Sequence, residues 1–325
     1  MIIKGVRLTA MAASALRWGN KMLQQNNLQS SSARPGNGKG PVGWRIVLCT
    51  LAVAGSAAAQ NGSATVAQPV LGLMFDAGAQ TVRTLVGIPA ASQVGGTLDG
   101  TPLSGVAIAS GPGYALALEN GTGAALLISP SGRQPLAGVR TGAQLVAVSP
   151  LGTAAAVYYG DSGKASILTG LPDAPQTLRE VTLDGTPSAM AVSDDGATLA
   201  AAISLSANES TVFSYSSGGA GQALLSDRLF TSLEFVPGSA SLVMATQAAV
   251  YLYQNKQGLQ LLTDQRDGLA NVVGAAASAD GTRVFISTQS GRVAVHDLAT
   301  STQTLLTCSC QPAGLWRLRG KAVFD

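Results

Sequence analysis

Histidine occurs once in the 325 residues, at His296, directly before Asp297; cysteine occurs three times, at Cys49, Cys308 and Cys310. A Ser-His-Asp nucleophile or a zinc centre would have to be assembled around that one imidazole. Its place at the end of the apolar run Val293-Ala294-Val295 is better explained as the entrance to a turn. The pairs Asp195-Gly196 and Asp280-Gly281 have the look of metal loops, yet a tight turn needs the same residues, a short acceptor side chain and a residue tolerant of positive φ. No Asp-x-Asp-x-Asp-Gly calcium loop is present. No catalytic residue, metal ligand or cofactor is therefore assigned. Cys308-Ser309-Cys310 is a poor metal site without a neighbouring histidine. In an oxidising compartment it reads as a local disulfide, the alternative being two thiols.

These residues are positioned by a repeat. Ala275-Ala276-Ala277-Ser278-Ala279-Asp280-Gly281, continued by Arg283-Val284-Phe285-Ile286, predicts a strand, a tight turn and a second strand. The layout returns at Val146 to Gly152 and Met190 to Gly196 and, more loosely, at Ile108 to Gly113 and Leu233 to Gly238. Ser110, Ser149, Ser193, Val236 and Ser278 follow one another at 39, 44, 43 and 42 residues, the period of four-stranded propeller blades. Five full copies are predicted, at 105–142, 143–186, 187–228, 229–268 and 269–310. Gln134, Gln176, Gln222, Gln260 and Gln303 introduce their outer strands.

Before these copies, Val70 to Leu85 matches only the outer half of a repeat; after them, Pro312 to Asp325 matches only the inner half. Closing a ring removes both unpaired edges at once. The reading is an all-β, six-bladed β-propeller over 70–325, closed by a composite blade in which residues 311–325 pair with 70–88, two strands from each end. A seven-bladed or truncated parent is the alternative.

Residues 1–59 form a long extension. Its apolar core at 46–54 runs into Gly55-Ser56-Ala57-Ala58-Ala59, the pattern of a secretory signal. The 14 apolar or small residues of 46–59 fall short of the roughly 20 that span a bilayer, so no stable transmembrane segment is expected. Residues 60–69 read as a linker. The predicted destination is the periplasm or the extracellular space. Seven of the 20 basic residues lie in 1–45, where there is no acid, which leaves 13 bases against 17 acids and a net charge near −4 for the remainder. A mildly acidic body without a basic stripe is not a nucleic-acid binder.

The turns Ser193-Asp194-Asp195-Gly196 and Ser278-Ala279-Asp280-Gly281, with Val293-Ala294-Val295-His296-Asp297, resemble bacterial exported propellers of the YVTN, NHL and WD40-like kind. The resemblance covers residues 70–325 and implies a fold more than a function. In such a ring the loops from each outer strand to the next inner strand share one face, and here they carry Arg140, Asp184, Asp227, Arg228, Asp264, Arg266 and Asp267. That charged rim would suit a protein partner or a polar small ligand. The expected function is a binding platform. The alternative is a lactonase-like or quinoprotein-like enzyme with a metal or cofactor at the channel. Such an enzyme needs inward ligands, whereas the inner strands hold mostly Ala, Val and Leu, with Glu234 the main exception.

Overall fold

The structure is a computed structural model and describes residues 69–88, 91–217, 219–312 and 314–318. The extension 1–59 with its signal-like core, the linker to residue 68 and the tail 319–325 lie outside the described residues. A three-stranded antiparallel sheet comes first: β1 (Val70–Asp76), β2 (Thr81–Ile88) and β3 (Ala91–Thr97). Five four-stranded antiparallel sheets follow. Blade I is β4 (Leu103–Ala109), β5 (Tyr114–Glu119), β6 (Ala125–Ser129) and β7 (Gly132–Pro135). Blade II is β8 (Leu145–Val148), β9 (Ala154–Tyr159), β10 (Lys164–Thr169) and β11 (Gln176–Thr182). Blade III is β12 (Pro187–Val192), β13 (Leu199–Ser204), β14 (Ser210–Tyr215) and β15 (Gln222–Asp227). Blade IV is β16 (Phe230–Phe235), β17 (Leu242–Thr246), β18 (Ala249–Gln254) and β19 (Gly258–Asp264). Blade V is β20 (Val272–Ala277), β21 (Arg283–Thr288), β22 (Arg292–Asp297) and β23 (Thr302–Thr307).

The expected six-bladed ring is present, with the composite blade divided differently. Three strands, not two, come from the amino-terminal side, and among the described residues the carboxyl-terminal side contributes the run 314–318 beside β1. Gly72 on β1 shows the seam, because a Cβ there would lie 3.1 Å from Leu318 Cδ2 and 3.7 Å from the Arg317 carbonyl. The extra strand β3, Ala-Ser-Gln-Val-Gly-Gly-Thr, is exposed almost throughout. It lacks the apolar alternation that marks a strand, and its pairing with β2 supplies what its side chains do not.

The second strand of each of blades I to IV lies between neighbouring blades and is a nearly continuous apolar run rather than an alternating one. Ala154-Ala155-Ala156 on β9 and Ala200-Ala201-Ala202 on β13 are fully buried. Among the described residues five apolar clusters lie between blades, joining I to II, II to III, III to IV, IV to V, and the composite blade to blade I.

The repeating turn is held by its own side chains. Ser278 Oγ donates to Asp280 Oδ1 at 2.6 Å and accepts from the Arg283 N–H at 3.0 Å. Ser193 makes the same pair with Asp195 and Thr198. Both turns close on a glycine at φ near +70°, Gly281 at 69° and Gly196 at 71°. The hydroxyl of Ser278, then the Thr282 N–H and hydroxyl, hold the Asp280 carboxyl down to about 2. These aspartates act as turn clamps. Among the described residues the only helical element is a single 3-10 turn, Gln265–Asp267, and no helix is long and apolar enough to cross a membrane.

Candidate functional site

The inner strands bring two charged side chains to the propeller axis. Glu234, on β16, forms an ion pair with Nη2 of Arg317, on the run that completes the composite blade. Arg317 Nε donates to the Ala277 carbonyl of blade V at 2.9 Å, and Nη1 to the Pro150 carbonyl of blade II at 3.0 Å. Its own carbonyl accepts from Ser110 Oγ of blade I. One residue thus ties the composite blade to blades I, II, IV and V. Burial pushes the guanidinium pKa down to about 10, with the charge of Asp194 opposing; the group stays cationic at neutral pH. Around the pair lies an axial cavity of about 260 Å³, walled by Val106, Val146, Val192, Phe235 and Trp316 among others.

Asp194 supplies a second tie at the same end of the channel. Its Oδ1 accepts from the Leu151 N–H of blade II at 2.7 Å, and its Oδ2 from the Gly238 N–H of blade IV at 2.8 Å. Its carbonyl accepts from Thr153 Oγ1 at 2.6 Å. Asp195 clamps the turn from within, so Asp194 is left to reach outward to both neighbouring turns.

The predicted rim charges are distributed over four links, and most are tied to their own joint. Arg140 makes a bidentate bond to Asp161, at 2.7 and 2.6 Å, and lies over the Tyr159 ring with 4.0 Å between its Cζ and the ring centroid. Asp184 accepts from the Tyr215 hydroxyl of blade III at 2.9 Å. Asp227 accepts from the Tyr251 hydroxyl of blade IV at 2.7 Å. Burial pushes both phenols up to about 12, and the facing carboxylates add to it. Asp264 caps the 3-10 turn by accepting from the Arg266 N–H at 2.8 Å, and also binds the Arg266 side chain. Asp267 accepts from Thr263 Oγ1 at 3.0 Å and from the Asp264 N–H at 3.1 Å.

Arg228 differs from the other six. It is exposed, and among the described residues its side chain has no ion pair or hydrogen bond. Its carbonyl accepts from Ser210 Oγ at 3.2 Å, and the same hydroxyl accepts from the Phe230 N–H. Ser210 pairs with Ser204 at the other side of the Leu205–Glu209 turn. Leu229 and Leu205, 39 % and 59 % exposed, therefore lie on the two segments that meet at Ser210.

His296 is buried, 5 % exposed, and among the described residues neither ring nitrogen has a hydrogen-bond partner. Burial pushes its pKa down, against the raising effect of Asp297. Among the described residues no three of His, Cys, Asp or Glu come together in a way that could hold a metal ion. Cys308 and Cys310 stand as a disulfide with their Cα atoms 5.2 Å apart.

Sequence patterning marked Glu234 as a lone acid on an apolar strand. It did not find Arg317 or Asp194, whose partners lie in other blades; the available signal was a cation, Arg317, in an inner-strand position beside Trp316. No family model and no curated protein matches this chain. Solved structures do. One chain of a nidogen/laminin complex aligns with a TM-score of 0.50 and 12 % identity, over 71 % of this chain and 91 % of that one. The Chaetomium thermophilum Sqt1 structure, bound to the N-terminus of ribosomal protein L10, aligns with a TM-score of 0.48 and 17 % identity, over 74 % and 75 %. At 12 % identity the likeness to the nidogen/laminin chain is one of fold.

Proposed function

We propose that this propeller is a non-catalytic, exported platform that binds a protein partner through the face carrying the outer-to-inner links, at the junction of blades III and IV. The observation that carries this reading is Arg228: the one rim charge without a side-chain partner among the described residues precedes the exposed Leu229, and the exposed Leu205 follows Ser204, which pairs with the Ser210 that binds the Arg228 carbonyl. A cation flanked by apolar side chains suits a protein surface that offers a carboxylate next to an apolar anchor, the make-up of a protein–protein hot spot. On the axis, Arg317 and Glu234 are committed to one another and to the blades, which favours a structural use of the channel over a cofactor site.

The test is a pull-down from envelope extract with three baits: the wild-type protein, Arg228→Glu combined with Leu229→Asp, and Arg266→Glu. Partners held by the wild type and by the Arg266 variant, and lost with the Arg228/Leu229 variant, support the reading. Equal capture by all three removes it. Export is tested separately, by mass spectrometry of the amino terminus of protein recovered outside the cytoplasm, with cleavage after Ala59 expected.

A further inference from the structure

Each blade ends on an outer strand whose far edge offers backbone N–H and C=O groups to the surroundings, and five of the six edges carry a device that blunts such pairing. β3 is broken where its ladder with β2 skips Gly95 and Gly96. β7 is four residues long and contains Arg133 and Pro135. β11, β15 and β19 each hold a bulged leucine, Leu178, Leu224 and Leu262, that the ladder with the strand inside passes over. β11 also carries Arg179 and Glu180, and β15 and β19 end on Asp227 and Asp264. β23, Thr-Gln-Thr-Leu-Leu-Thr, has none of these: it holds no charge, proline or glycine, and its ladder with β22 is unbroken from Thr302 to Thr307. Among the described residues no strand pairs with its outer edge.

The ladder also decides which groups that edge presents. The Cys308 N–H donates to the Gly291 carbonyl at 2.8 Å, one step beyond the pair of Thr307 with Arg292. Antiparallel pairs alternate between bonded and unbonded, so Thr302, Thr304 and Leu306 bond inward to β22. The backbone N–H and C=O of Gln303, Leu305 and Thr307 therefore point outward. Leu305 and Leu306, on opposite faces of the strand, are 47 % and 54 % exposed. A long, flat, uncharged edge of this kind pairs with another strand.

We infer that β23 is a self-association edge, on which a second copy of this chain lays its own β23 antiparallel, so that two blade V sheets become one continuous sheet. The sequence of the strand selects that occupant. A two-fold axis through Leu305 sets Leu305 against the partner's Leu305, and Gln303 against the partner's Thr307. Every outward donor then meets an outward acceptor, and the two leucines stand opposite one another with their Cα atoms about 5.5 Å apart, an apolar cross-strand pair. On the other face Leu306 meets the partner's Thr304. No side chain of the strand is charged, so no like charges are opposed, and the contact is isologous, as a closed dimer requires. It lies on the outer edge of blade V, apart from the Arg228 surface at the junction of blades III and IV.

The experiment is sedimentation equilibrium of the full chain over a range of concentrations. One strand pair is small beside the roughly 1,200 Å² of a stable interface. Association is therefore expected to be reversible, with the weight-average mass rising toward twofold between about 1 µM and about 500 µM. Leu305→Lys and Leu305→Glu should each stay near the monomer mass, because each places like charges opposite one another at the two-fold axis. An equimolar mixture of the two should recover association, since opposite charges then face each other across the same pair. Misfolding of a variant cannot mimic that recovery. Leu261→Lys, on the bulged edge of β19, should associate like the wild type. A wild type that stays monomeric throughout, a dimer unaffected by either Leu305 change, or a mixture no more associated than its parts overturns the inference.

Discussion

Arg317 meets Glu234 on the propeller axis, a contact between the run that closes the ring and the inner strand of blade IV. Both side chains are largely withdrawn from water, with 12 % and 24 % of their surface exposed. Removing one member of such a pair leaves a desolvated charge without its counter-charge, at a cost of about 3 kcal/mol. Glu234→Gln and Arg317→Gln are each expected to lower stability by about that much, and the double variant by much less than their sum. Urea denaturation of all four proteins checks this; additive losses would mean that the pair is not coupled.

Asp194 accepts backbone N–H bonds from the turns on either side of its own. Hydrogen bonds to a charged acceptor contribute about 1.5 to 3 kcal/mol in favourable settings, and this acid is half-buried, so Asp194→Ala should lose about 2 kcal/mol. Amide hydrogen exchange gives the sharper readout. Leu151 and Gly238 should lose protection in that variant, whereas Asp195→Ala should affect the amide of Ala197 inside the turn.

His296 makes stability depend on mild acid. Its folded pKa is depressed by burial, so the unfolded chain binds the proton more readily. The contribution is therefore fully present above the unfolded value of about 6.5 and is lost as pH falls from there toward the lowered folded value. Thermal melts between pH 7 and pH 5 should show a decline that His296→Leu flattens. Because neither ring nitrogen is bonded, that substitution should also be close to neutral at pH 7.5. An unchanged pH slope would contradict this assignment.

Gly291 has φ of +82°, and a Cβ there would collide with the carbonyls of Cys308 and Cys310. Gly291→Ala combines left-handed strain with a clash against backbone, and about 2 kcal/mol of destabilisation is expected. Chemical denaturation measures it. Gly163, at the equivalent turn of blade II with φ of +66° and open space at its Cβ, should tolerate alanine with a smaller loss.

The ring was legible in the sequence because its signal is local. Ser193, Asp195 and Gly196 hydrogen-bond within one turn, so spacing alone exposes the repeat. β3 was hidden because Gly95 and Gly96 interrupt any apolar alternation, and the strand exists through its ladder with β2. Spacing put the rim residues at the ends of the outer strands and in the links after them, with Asp227 and Asp264 closing β15 and β19, but their partners were out of reach. Tyr215 and Tyr251, which bind Asp184 and Asp227, belong to the following blades. Asp194 and Asp195 look interchangeable in a row of letters. Only the turn geometry sends one carboxylate inward and the other across to two neighbours.

The division of the composite blade also bears on how the molecule would carry tension. Pro69 leads into β1, and Leu318 lies beside Gly72 near the start of that strand. Traction applied at these two points would peel the closing run from β1 one contact at a time. The Ala-rich second strands, gripped on both faces, would have to shear as a unit. Among the described contacts, those of Leu318 with β1 would therefore be the first to take that load.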